Sequence, residues 1–403
     1  LLGCDDVDEI PSTDATDGDA FDSETTDPGH PFDQETSVES LEGYGTFAVG
    51  HDESTVSYTP PGETEPRELP VRVWYPAPSD ASGEDADYAV GGIVELDPLV
   101  ADEAIEVSGE GPFPLAVYSH GSGGDNLLPY PYAEQLASRG WVVVSANHVG
   151  NTALDSLGGS ELPFEEIAVK RVTDVSALID AASDGFGLAS LAGNVEDDNV
   201  FLFGHSFGAY TTLVAGGGTL DLSLLQATCD DRGGEECAYL DNEDVAAAIE
   251  DGLGDERIVA IAPQAPAVAS AFAEGGYAAI NIPTLLMSGE LDQTTPEDTQ
   301  TLPVWDGLDE AEDVWLDIPT GAHFTFITIC DDLSPGLLAS FQPDAPDDGC
   351  GEEFIPTTEA IPVLRTYVTA FAELHALGVD AWADLFVGSP IDERFELSRH
   401  TEE

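Results

Sequence analysis

Basic side chains are almost missing from this sequence. Lys170 is the only lysine in 403 residues, and 10 Lys plus Arg stand against 80 Asp plus Glu, a formal net charge of −70. A surface this negative repels phosphate backbones and anionic headgroups, which excludes nucleic acid as a partner. Long hydrophobic runs are also missing. No stretch approaches the ~20 apolar residues needed to span a bilayer. Yet hydrophobic residues make up 42% of the chain, near the globular norm, so the acidity does not mean disorder throughout. Scarce lysine beside abundant carboxylates fits a salty habitat in which counter-ions screen self-repulsion, or compositional drift in an exported protein.

Cysteine is sparse too, with five residues. Leu1-Leu2-Gly3-Cys4 resembles a bacterial lipobox, the end of a signal peptide. Residues 1–4 are accordingly expected to be a signal remnant, with Cys4 as the lipidation site and the only link to a membrane. The protein is accordingly expected outside the cytoplasm, lipid-anchored to a bacterial cell envelope on its periplasmic or outer side, and as a monomer. Residues 5–42 are rich in Asp, Glu, Thr, Ser and Gly and read as an acidic, disordered tether. The run from Asp14 to Asp19 lacks the ligand spacing of a calcium loop. Cys229, Cys237, Cys330 and Cys350 form two close pairs in loop-like stretches. Of three connectivities, Cys229–Cys237 and Cys330–Cys350 are expected in an oxidising compartment. No Cys-x-x-Cys or clustered His supports zinc, and neither metal nor cofactor is expected.

Residues 43–403 read as one catalytic domain. Short apolar runs at 115–118, 141–145, 200–203, 258–261, 284–287 and 314–318 alternate with helical or loop segments. Fully apolar strands separated by helices indicate an α/β fold with a mainly parallel sheet covered on both faces. Thr55–Tyr58 and Val71–Tyr75 are expected as antiparallel edge strands. Residues 165–183 and 357–375 show helical spacing, the second with Thr357 or Thr358 as cap. Two insertions, 219–256 and 330–356, each carry a cysteine pair.

The chemistry sits at strand ends. The 200–203 strand runs into Gly204-His205-Ser206-Phe207-Gly208. A serine hydroxyl is a poor nucleophile until it is exposed beside a base, and a tight strand-to-helix turn exposes it. Downstream, Asp292 follows one strand and His323 the next, in the order Ser, acid, His. The expected roles are Ser206 as nucleophile, His323 as general base and acid, and Asp292 as its orienting carboxylate, with Glu290 as the substitute acid. Two N–H donors must meet the developing oxyanion, and those of Phe207 and Ser122 are expected to do so. His148 could line the pocket; His120 and His205 flank the key turns, where packing or hydrogen bonding is the expected role. Phe324, Phe326, Leu127, Leu128 and Tyr130 could form an acyl pocket or belong to the core.

The Gly-His-Ser-Phe-Gly turn, the Ser119–Gly124 loop and the Val71–Pro76 strand resemble the platelet-activating-factor acetylhydrolase and dienelactone-hydrolase-like branch of α/β-hydrolases. The segments around Asp292 and His323 are similar to those of bacterial cutinase-like polyester hydrolases. The resemblance implies the α/β-hydrolase fold and a serine carboxylesterase or lipase-like enzyme acting on small-molecule, lipid or polymer esters. It departs at Ala262-Pro263-Gln264, where animal platelet-activating-factor acetylhydrolases carry their acid and this chain has none. An amidase, a thioesterase or a non-catalytic binding lipoprotein on the same fold are the competing readings.

Overall fold

The computed structural model describes residues 30–32, 34–90, 94–232 and 237–400. Cys4 and most of the expected tether lie outside the described residues. The packed chain begins earlier than the composition suggested, by His30 rather than at 43. Phe32 packs against Phe47 and Phe113, and Leu41 of helix α1 (Val38–Glu42) is fully buried. These two apolar anchors dock the segment together with Gln34, which donates to the Thr46 hydroxyl at 2.7 Å, and the Glu35 carbonyl, which accepts from Arg139 at 3.2 Å.

Strands β1 (Ala48–Tyr58) and β2 (Arg67–Ala77) pair antiparallel along their whole length. A two-stranded ribbon, β3 (Tyr88–Val90) and β4 (Val94–Leu96), and the short β5 (Ala101–Glu103) follow. The apolar runs become β6 (Leu115–Ser119), β7 (Val142–Ala146), β8 (Val200–His205), β9 (Ile258–Gln264), β10 (Leu285–Gly289) and β11 (Val314–Ile318), and the last strand among the described residues is β12 (Glu396–Arg399). Their order in the main sheet is β12-β11-β10-β9-β8-β6-β7-β2-β1-β5. From β7 to β11 all neighbours are parallel. β1 and β2 are therefore not edge strands: β2 also pairs with β7, and β5 covers β1.

Alternation along the strands explains the two-faced core. In β8, Val200 and Leu202 face one apolar cluster while Phe201 and Phe203 face the other, and β6 and β7 divide likewise. Helices α2 (Tyr130–Ser138), α3 (Ala153–Gly158), α4 (Phe164–Asp180) and α5 (Phe207–Ala215) follow β6, β7 and β8. α4 and α5 cover the first face. α2 covers the second with the long C-terminal helix, described below. The first insertion folds as α6 (Leu222–Arg232) and α7 (Glu243–Asp251), with Cys229 of α6 bridged to Cys237 in the 3₁₀ turn Cys237–Tyr239 that precedes α7. After α8 (Thr301–Gly307), the second insertion holds α9 (Ile329–Asp332) and α10 (Pro335–Phe341), closed by Cys330–Cys350. The C-terminal helix α11 spans Thr357–Leu377. Its N-cap is Pro356 rather than a threonine, and the Thr357 hydroxyl instead donates to Asp331. Among the described residues no helix is long and apolar enough to cross a membrane.

Burial leaves several carboxyls with raised proton affinity. It pushes Glu134, against the donors Tyr88, Val100 and Leu99, and Asp313, against Thr284 and Glu310, up to about 7 each. Asp317, buried beside Glu297, is also raised. The folded chain thus keeps protons that the unfolded chain releases, a contribution lost as pH rises through about 7. Burial acts oppositely on His148 and His205, pushed down to about 4 and about 3. Below the ordinary imidazole value of about 6.5 the unfolded chain takes up protons these rings refuse. The melting temperature is therefore expected to rise from about pH 8.5 to about 6.5 and to stop rising below that. Melts across that range at constant high salt would contradict this if the transition stayed flat or moved upward with pH.

Candidate active site

At the end of β8 the chain turns sharply through Ser206, whose φ of 57° and ψ of −119° lie outside the ordinary regions for an L-residue. Such strain persists only where neighbours enforce it. The Ser206 N–H donates to the carbonyl of Gln264 on β9 at 2.8 Å. A Cβ on Gly204 would fall 2.7 Å from the Ser119 carbonyl oxygen, and one on Gly208 would fall 1.8 Å from the same atom. The flanking glycines are therefore required by the close passage of the β6 end beneath the turn.

The turn presents Ser206 Oγ to His323 Nε2 at 3.0 Å. His323 follows β11 in a short 3₁₀ turn, His323–Phe326, and its Nδ1 lies 2.9 Å from Asp292 Oδ2. Asp292 stands beyond β10, where Thr295 donates to it through both N–H and hydroxyl at 2.6 Å. Burial would push the Asp292 carboxyl up, but His323 and the Thr295 donors hold it below its ordinary value. An ionised Asp292 accepting from Nδ1–H leaves Nε2 free to take the Ser206 proton. Glu290 is exposed and takes no part in this line of contacts.

Phe207 opens α5, where the first N–H groups have no intrahelical acceptor. Ser122 lines the same cavities as Ser206, and a Cβ on its neighbour Gly121 would lie 3.1 Å from Ser206 Cβ. Both residues thus border the nucleophile. His205 donates from Nε2 to the His323 carbonyl at 2.7 Å, a neutral ring that supports the base.

Behind this line lies a buried polar network that the sequence did not disclose. Arg171 of α4 reaches Thr211, Asn151, Ser119 Oγ and the His120 carbonyl, with its guanidinium 4.6 Å over the Phe207 ring. Asn151 passes the contact on to Ser122 Oγ at 3.0 Å. Ser119 Oγ lies 2.9 Å from His148 Nε2, and His148 Nδ1 lies 2.9 Å from Asp174. This second Asp-His-Ser set is closed to solvent and therefore structural. His148 does not line the pocket; it braces the loop from below. His120 accepts from the His148 N–H at 3.0 Å. Of the apolar candidates, Leu128 and Phe324 line the cavity beside Ser206, while Leu127, Tyr130 and Phe326 belong to the core.

Asp348 is a further residue that nothing in the sequence marked. It lies inside the Cys330–Cys350 loop, and its carboxylate accepts from the Gln293 and Thr294 N–H groups at 2.9 Å each and from the Thr294 hydroxyl at 2.7 Å. Its backbone carbonyl accepts from the Phe324 N–H at 3.0 Å. One residue thus ties the loop carrying Asp292 to the turn carrying His323. Replacing both Cys330 and Cys350 by Ser is expected to cost about 3 kcal/mol of stability and to lower kcat more than it raises KM. Unchanged melting and unchanged kcat would show that the bridge does not hold this clamp.

No family model and no curated protein matches the chain. Among solved structures, a ferulic acid esterase from Streptomyces cinnamoneus superposes with a TM-score of 0.58 at 20% identity, covering 82% of this chain and 91% of that one. At that identity the likeness speaks for architecture alone. Together with the parallel sheet, its helical cover and the strand-to-helix turn at Ser206, it establishes the α/β-hydrolase fold for this chain.

Proposed function

We propose that the protein is a serine hydrolase of carboxylic esters. The observation that carries this reading is the continuous contact from Ser206 Oγ through the His323 ring to Asp292. In the proposed reaction His323 Nε2 takes the hydroxyl proton as Ser206 Oγ attacks the ester carbonyl. The Phe207 and Ser122 N–H groups receive the negative charge on the tetrahedral oxygen. Collapse breaks the bond to the leaving oxygen, which takes the proton from His323, and an acyl group remains on Ser206. Water then enters, gives its proton to His323, and releases the acid with the proton returned to Ser206. The fold shared with a ferulic acid esterase is consistent with an ester bond as target.

The identity of the acid provides the test. Asp292→Asn is expected to lower kcat for p-nitrophenyl esters by about 10⁴-fold, because the ring loses the tautomer that leaves Nε2 basic. Glu290→Gln is expected to leave kcat within about twofold, since an exposed side chain away from the ring has nothing to hold. Full activity in the first variant with loss in the second would reverse the assignment.

A further inference from the structure

Ser206 lies where two cavities meet, one of about 380 Å³ and one of about 430 Å³, and Ser122 and Thr294 border both. An ester has two halves, and the two spaces differ in chemistry. The first is walled by Leu96 of β4, Leu128 of the β6–α2 loop, Leu154 of α3, and Ile327, Ile329 and Leu333 at the entry to the disulfide-closed insertion. Its polar border includes three carboxylates, Asp125, Asp332 and Asp344, and among the described residues no Lys or Arg lines it. The second carries Asn151, Glu161 and Gln300 beside Phe164, Phe207 and Val268.

The position of the base orients the substrate between them. His323 must give its proton to the leaving oxygen, so the alcohol half has to lie on the His323 side of Ser206. His323 and His205 border the first cavity and not the second, whereas Phe207 borders the second and not the first. Resting on the ester-hydrolase reading above, we infer that the first cavity receives the alcohol half of the substrate and selects an uncharged, apolar alcohol, while the acyl half occupies the second. Apolar walls favour a longer alcohol by the area they remove from water. A carboxylate on that alcohol would be brought against three acidic side chains with no cation to meet it.

Asp125 and Asp332 are engaged within the wall: Asp125 accepts from the Leu127 N–H at 3.0 Å and Asp332 from the Tyr130 hydroxyl at 3.2 Å. Burial pushes both of these carboxyls up. Asp344 stands exposed at the mouth and is the side chain whose charge can be changed without opening the wall.

The test compares acetates of graded alcohols, methyl to hexyl, with methyl esters of equally graded acids. A third arm uses an acetate whose hexyl chain ends in a carboxylate. We expect kcat/KM to rise about tenfold or more along the alcohol series and to change far less along the acyl series. The carboxylate is expected to cost about a hundredfold against hexyl acetate. That loss should persist in molar salt, where the general negative field is screened within about 3 Å. Asp344→Lys should narrow the gap between the charged and the neutral hexyl ester, both measured on that variant, by about tenfold. A flat alcohol series beside a steep acyl series would overturn the inference, as would equal turnover of the charged and neutral hexyl esters. Absence of hydrolysis of every ester by a folded enzyme, with no phosphonylation of Ser206, would instead remove the ester-hydrolase reading itself.

Discussion

Ser206→Ala is expected to reduce kcat/KM for p-nitrophenyl acetate by about a millionfold, and His323→Ala to do nearly the same. The two act as one unit. The hydroxyl becomes a nucleophile only as its proton leaves for Nε2, so removing either partner removes the step. The double variant is accordingly expected to be no slower than the worse single one. Any residual rate would come from the Phe207 and Ser122 amides and from binding. Neither change is expected to unfold the chain, and Ser206→Ala leaves the β8 turn anchored by its N–H to Gln264. Steady-state rates beside a melting curve for each variant check this. A loss under about tenfold in Ser206→Ala would place the chemistry elsewhere.

The second large effect is expected at a residue remote from substrate. Asp174 is fully buried, and its carboxylate receives Arg67 through Nε at 2.7 Å and Nη2 at 3.0 Å, the Tyr58 hydroxyl at 2.6 Å and the His148 ring at 2.9 Å. Burial would push Asp174 up, but the contacts from His148 and Arg67 hold it down at about 2. Asp174→Ala leaves a buried guanidinium with no counter-charge, a loss of about 3–5 kcal/mol. Urea unfolding is the appropriate measurement, with the midpoint shifted and the slope retained. Removing both partners, as Arg67→Met with Asp174→Leu, is expected to cost less than Asp174→Ala alone, because it also removes the stranded charge. Since His148 carries the contact on to Ser119 and Arg171, kcat should fall in Asp174→Ala while KM moves little. An unfolding free energy within about 1 kcal/mol of the parent would show that the network is dispensable.

The line of contacts from Ser206 through His323 to Asp292 was legible because each member is marked by local pattern. An apolar strand followed by a glycine-bounded serine, and an Asp and a His each just past a further apolar strand, identify themselves in sequence. Both disulfides were legible from cysteine spacing together with an expected oxidising compartment. The sheet's interior was readable for the same reason, since strands buried on both faces are continuously apolar. Its margins were not. β12 alternates exposed and half-buried residues, and β3, β4 and β5 are three residues each, too short for a period to show. The docked segment from His30 was hidden by its acidic neighbours. Arg171 and Asp174 were read only as members of an amphipathic helix, because nothing local says that a helix's polar positions will be buried against the ends of β6 and β7. Thr295 and Asp348 act across loops distant in sequence, and Asp348 is one acid among 80.

The most direct test is a fluorophosphonate probe applied to the folded protein, followed by peptide mapping. A single stoichiometric adduct on Ser206 is expected, formed far more slowly in His323→Ala. A folded sample with no adduct, or with the adduct on another residue, would contradict it.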